Sequence, residues 1–124
     1  MSSSLVTIEF FENIPETIAD VSLRRNRATG ERSVVLIFKE LRSIEKFNSF
    51  RNRFAGALKL ADEEGIITVT PDSVKFYFSG PEGDDFDKLE CQFAISQDSD
   101  FERFMRFMHR YADANGMAYG EPSQ

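Results

Sequence analysis

The chain of 124 residues contains no tryptophan, one histidine and one cysteine. The lone cysteine, Cys91, excludes an intramolecular disulfide and points to a reducing compartment. The lone histidine, His109, sits among arginines, and no Cys/His spacing resembles a zinc site. Neither residue has a partner in sequence for covalent catalysis, so the reading is a non-enzymatic protein. No run approaches the ~18 apolar residues of a membrane span. Basic residues are also in deficit: 15 Lys and Arg face 21 Asp and Glu, for a net charge of −6. That balance speaks against nucleic acid as a partner and against broad adsorption to an anionic membrane. The acidic turns Asp62-Glu63-Glu64-Gly65 and Glu82-Gly83-Asp84-Asp85 lack the alternating oxygen ligands of a calcium loop. Gly80-Pro81-Glu82-Gly83 lacks the lysine and the following helix of a phosphate loop. No metal and no cofactor is expected. The start, Met1-Ser2-Ser3-Ser4, shows neither a signal nor a transit pattern, so the protein is expected to stay in the compartment where it is made.

What the chain has in plenty is phenylalanine, with 13 copies. Its length predicts one domain over residues 1–124, with an ordered core over about 5–119. Leu5–Phe11 reads as a strand that Pro15 stops, because proline lacks a ladder donor. Val21–Asn26 and Ser33–Leu41 read as a hairpin around Ala28-Thr29-Gly30-Glu31. Ile44, Phe47, Phe50, Phe54 and Leu58 recur every three or four residues, which predicts one or two short helical segments within 42–58. Ile66–Thr70, Val74–Ser79 and Leu89–Ile95 read as further strands. In the last of these, Leu89, Cys91, Phe93 and Ile95 face inward. The fold class is therefore α+β: a single domain with an antiparallel sheet of about five strands, backed by a long C-terminal helix.

That helix, Asp98–Asn115, is the clearest element. Ser99-Asp100-Phe101-Glu102 fits a capping box, and Gly116 suits a C-terminal stop. Phe101, Phe104, Met105, Met108, Tyr111 and Ala112 form its apolar stripe. Arg103, Arg106 and Arg110 share another side of it. Arg24, Arg25 and Arg27 lie on or just after a strand. These six arginines, with Tyr77 as an aromatic anchor, are the candidate partner contacts. The competing reading is a solvated face with internal salt bridges to the many carboxylates. Val34–Phe38 is apolar on both faces, so 44–58 or another protein must cover the second one. An open sheet edge also offers a place for a partner strand, and an exposed face could pair two copies in a weak homodimer.

Arg103-Phe104-Met105-Arg106-Phe107-Met108-His109-Arg110-Tyr111-Ala112 closely resembles the C-terminal signature of the Psb28 family, the photosystem II thirteen-kilodalton proteins, whose helix carries R-F-M-R-F-M-x-R-Y-A. Val21–Arg27 resembles that family's V-x-L-x-R-S-R stretch, and Asp62–Gly65 its D-E-E-G turn. Gly80-Pro81-Glu82-Gly83 resembles its R-P-E-G turn, with glycine in place of arginine. The phenylalanine-rich 42–58 stretch departs from typical members and looks like the second cyanobacterial paralogue form. The resemblance implies a pigment-free, metal-free accessory protein, peripheral to the cytoplasmic side of the thylakoid membrane. It implies transient binding to photosystem II assembly or repair intermediates, chiefly near the larger core-antenna protein. With no transit pattern, it also implies a cyanobacterial or plastid-encoded chain. The rival from another class is a small-molecule or ion-binding regulator linked to pigment supply.

Overall fold

A computed structural model describes residues 5–48 and 56–117. Along them run β1 (Thr7–Phe11), β2 (Ile14–Glu16), β3 (Asp20–Arg25), β4 (Arg32–Phe38), α1 (Ile44–Asn48), β5 (Leu58–Asp62), β6 (Gly65–Val69), β7 (Ser73–Ser79), β8 (Asp85–Ile95) and α2 (Asp98–Asn115). The strands form two antiparallel sheets of four, ordered β2-β1-β5-β6 and β3-β4-β8-β7. The expected single sheet of about five strands is corrected to eight strands in two sheets.

Two strands escaped the sequence reading for separate reasons. In β2, Pro15 was read as a stop. It instead pairs with Glu9 on the outermost strand of its sheet, where a missing donor breaks no ladder. In β5, Leu58 lies four residues after Phe54 and so prolonged the helical stripe. Leu58 and Leu60 are fully buried while Lys59 between them is exposed, which is the period of a strand. Among the described residues the expected helical segment is α1, and Phe50, Phe54 and Tyr119 lie outside them. Phe47 of α1 packs edge-on against Phe10 (5.2 Å), Phe11 (5.0 Å) and Phe76 (5.2 Å).

One core joins the inner faces of both sheets to the long helix. Ile8, Phe10, Leu58 and Leu60 come from the first sheet; Val34, Leu36, Phe38, Leu89, Cys91 and Phe93 from the second; Phe104, Phe107, Met108 and Tyr111 from α2. Each such side chain contributes about 1.5–3 kcal/mol by leaving water. Burial pushes the Cys91 thiol up to about 12, which leaves it without thiolate character at neutral pH. On the second sheet's outer face, Val35 and Ile37 are half-buried, flanked in register by Ser22 and Gln92 and by Asp20 and Glu90.

Polar groups lock the helices in place. The Ile18 amide donates to the Tyr111 hydroxyl (2.9 Å), which reaches the Glu16 carbonyl (3.4 Å). The buried Glu16 carboxylate accepts from the Arg42 amide (2.8 Å), the Ser43 amide (2.9 Å) and the Ser43 hydroxyl, just before α1. The predicted capping box does not form. α2 starts at Asp98, as expected, but Gln97 and not Ser99 holds the N-cap position, in an extended conformation with no side-chain cap. Arg32 secures this end instead, donating to Asp98 (2.6 Å) and lying 4.6 Å from the Phe101 ring centre. Gly116 ends the helix as expected, at φ 67°, with the Met117 amide on the Ala112 carbonyl (2.9 Å).

Candidate functional site

Three groups of predicted contact residues occupy three different places. Arg103, Arg106 and Arg110 do share one side of α2, and that side faces the β5–β6 turn. Arg103 grips Asp62 with two donors (2.9 and 2.7 Å) and reaches the Gly65 carbonyl (3.3 Å). Arg106 grips Glu64 with two donors (2.8 and 3.0 Å). Arg110 bridges Asp62 (3.0 Å) and Glu64 (2.6 Å), with Glu63 at 3.7 Å. The D-E-E-G turn and the arginine-rich helix are therefore two halves of one ion network, closed across more than 40 positions of sequence.

The electrostatics follow from that geometry. The paired Arg103 guanidinium, aided by Arg110 and the Glu64 amide, holds Asp62 at about 2 despite a side chain that is 0% exposed. Arg106, and after it Arg110, hold Glu64 at about 2 as well. The arginines are pushed the other way by the same carboxylates. Asp62 and Glu64 are thus neutralised by guanidinium groups, and Glu63, the third carboxylate of the turn, lies within 3.7 Å of Arg110.

Arg24, Arg25 and Arg27 are exposed at the β3–β4 hairpin, and they form no ion pair among the described residues. The turn beyond them is well held. Asn26 accepts from the Ala28 and Thr29 amides (2.8 and 3.2 Å), its own amide donates to the Glu31 carbonyl (2.8 Å), and the Gly30 amide donates back to Asn26 (2.7 Å). Gly30 takes φ 77° to close it. The register places Arg24 opposite Ser33 and Arg25 opposite Arg32, so neighbouring arginines face opposite sides of the sheet. Three arginines with no ion pair among the described residues, at the end of β3 and in the turn after it, suit an acidic surface through bidentate contacts.

Tyr77 lies on β7, on the outer face of the same sheet but at its far end. Its hydroxyl donates to Glu90 (3.2 Å), and Lys88 sits 5.0 Å from its ring centre while pairing with Glu90 (3.4 Å). The tyrosine is 37% exposed, and Phe78 beside it is 52% exposed. Phe78 lies on the same face of the strand as Phe76, on which it stacks. Its exposure at the rim was not foreseen, because only the strand order makes β7 an edge.

The sequence profile described as Psb28 protein matches residues 8–119. The chain is 32% identical over 118 residues to the photosystem II reaction center Psb28 protein of Synechococcus sp. strain CC9902, an overlap of 93% of this chain and 82% of that protein. It is 31% identical over 115 residues to the protein of that name from Synechococcus elongatus, covering 92% and 96%. It is 29% identical over 116 residues to the one from the diatom Thalassiosira pseudonana, covering 93% and 96%.

Proposed function

The chain belongs to the Psb28 protein family, and from that membership we propose that it is a non-enzymatic accessory protein of photosystem II. It binds transiently to assembly or repair intermediates at the cytoplasmic side of the thylakoid membrane, chiefly near the larger core-antenna protein. The observation that carries the reading is the family match over residues 8–119, which includes both the Asp62–Gly65 turn and the Arg103–Ala112 helix. These stretches fold onto each other as one ion network. Peripheral attachment agrees with a second feature: no helix among the described residues is long and apolar enough to cross a membrane.

Within this reading the arginines divide by role. Arg24, Arg25 and Arg27, with Tyr77, make the partner contacts. Arg103, Arg106 and Arg110 hold α2 to the β5–β6 turn and act on docking through the shape they maintain. The test is affinity purification of a tagged copy from detergent-solubilised thylakoid membranes, with the partners identified. Recovery of photosystem II core subunits, the larger core-antenna protein foremost, is expected. Recovery of no photosystem II subunit overturns the reading.

A further inference from the structure

The β7–β8 hairpin carries a surface that neither the core nor the arginine network uses. In its register Tyr77 pairs with Lys88 but Phe78 pairs with Phe86, so Asp87 is the extra residue of a bulge. In a regular strand Phe86, two residues before Lys88, would share its face. The bulge turns it onto the face of Phe76 and Phe78 instead. Phe76 and Phe78 stack with ring centres 6.5 Å apart, and Phe86 meets Phe78 edge-on at 6.1 Å. The ladder continues inward through Phe47, 5.2 Å from Phe76. Phe78 is thus a half-exposed ring on a base anchored in the core.

The rim around this ring is acidic. Glu82, Asp84, Asp85 and Asp87 are all exposed, and none forms an ion pair among the described residues. Gly80 turns at φ 93°, and the Asp85 carboxylate occupies the space that a Cβ at Gly80 would need. A side chain there, such as the arginine of the related R-P-E-G turn, would displace that carboxylate. Gly80 therefore leaves room for the Asp85 carboxylate against the turn.

We propose that this hairpin end is a docking site for a basic polypeptide segment that presents an apolar side chain to Phe78. An exposed aromatic set on a rigid base is suited to anchor a partner, and four unneutralised carboxylates select a cationic one. An anionic lipid surface is repelled by the same rim, as is the like-charged end of a second copy. The inference does not rest on the photosystem II reading, and its test needs no photosystem.

The full isotope-labelled chain is titrated with two capped ten-residue peptides, one alternating lysine with leucine, the other glutamate with leucine, and amide shifts are followed by NMR. The lysine peptide is expected to move the amides of residues 76–87, and the glutamate peptide to leave them in place. Phe78→Ser is expected to weaken the lysine peptide about tenfold, the loss of one buried aromatic contact, with the amides of α2 unchanged. The paired reversal Glu82→Lys and Asp84→Lys, which leaves the aromatics alone, is expected to weaken it by a similar factor and to flatten its salt dependence. The proposal is overturned if the lysine peptide leaves residues 76–87 unmoved, if both peptides move them equally, or if both variants bind as the parent does. Movement of the same amides with protein concentration alone also overturns it, assigning the surface to a second copy.

Discussion

Asp62 shows how a single residue can be read correctly in type and missed in role. The turn Asp62-Glu63-Glu64-Gly65 was visible as an acidic turn, and the helix arginines as a basic face. Internal salt bridges from those arginines were one of the two readings, but which carboxylates they meet was not visible, because that depends on β5 bringing the turn to α2. With its side chain inaccessible and two guanidinium groups on it, loss of the carboxylate leaves two half-exposed cations to find water. Asp62→Ala is expected to cost about 2–3 kcal/mol in urea unfolding at pH 7. The pH dependence has a definite sign. The folded-state value is about 2 against an ordinary 3.8, so as pH falls the unfolded chain takes up its proton first. The contribution is full well above the ordinary value and lost as pH falls through the folded one. The stability gap between the parent and Asp62→Asn should therefore stay level from about pH 8 to 5 and shrink from about pH 4 to 2. A gap that stays constant down to pH 2 would refute the pairing. Glu64 shifts in the same direction from Arg106 and Arg110.

Among the elements, those with a long uninterrupted period were legible. α2 keeps one apolar stripe over 18 residues, and β8 alternates cleanly from Leu89 to Phe93. The short ones were not: three residues around Pro15 give no period to read, and Leu58 fitted a helix and a strand equally well. The bounds of α2 are those read from the sequence, but its cap is not: Ser99 and Glu102 have the right spacing for a box, while the Arg32–Asp98 pair holds Asp98 inside the helix. That leaves Gln97 at the cap position, extended and without a side-chain bond to the first turn. Gln97→Ser supplies the missing acceptor. It should stabilise the fold by about 0.5–1 kcal/mol and raise Tm by about 2–4 °C. At the other end, Tyr111→Phe removes the acceptor for the Ile18 amide. A loss of about 1–2 kcal/mol is expected, since a buried donor is left unpaired, with exchange of the Ile18 amide speeded in the same variant. No change in either quantity would mean that this hydroxyl does not hold the 17–19 segment to the helix.

Over the whole molecule the charges are sorted by position. The β3–β4 turn, with Arg24, Arg25 and Arg27, lies at the Ile95 end of β8, and the β7–β8 turn, with Glu82, Asp84, Asp85 and Asp87, at its Asp85 end. Eleven extended residues separate the two ends by roughly 35 Å, several Debye lengths at physiological salt. Each end therefore acts as an independent field, and a net acidic chain still has a cationic end. The fold could not be guessed to do this from charge alone, because the six arginines looked equivalent in sequence while the structure neutralises three of them. Their variants should separate accordingly. Arg24→Glu, Arg25→Glu and Arg27→Glu combined touch only exposed side chains, so Tm should stay within about 2 °C of the parent. Association with solubilised photosystem II intermediates should slow about tenfold or more and lose its salt dependence. Arg103→Ala with Arg110→Ala should do the reverse, lowering Tm while the association rate of the folded fraction stays near the parent's. Surface-immobilised intermediates, with the folded fraction measured by near-ultraviolet circular dichroism, distinguish the two. If the helix variant slows association with its fold intact, and the hairpin variant does not, the docking surface lies on α2 after all.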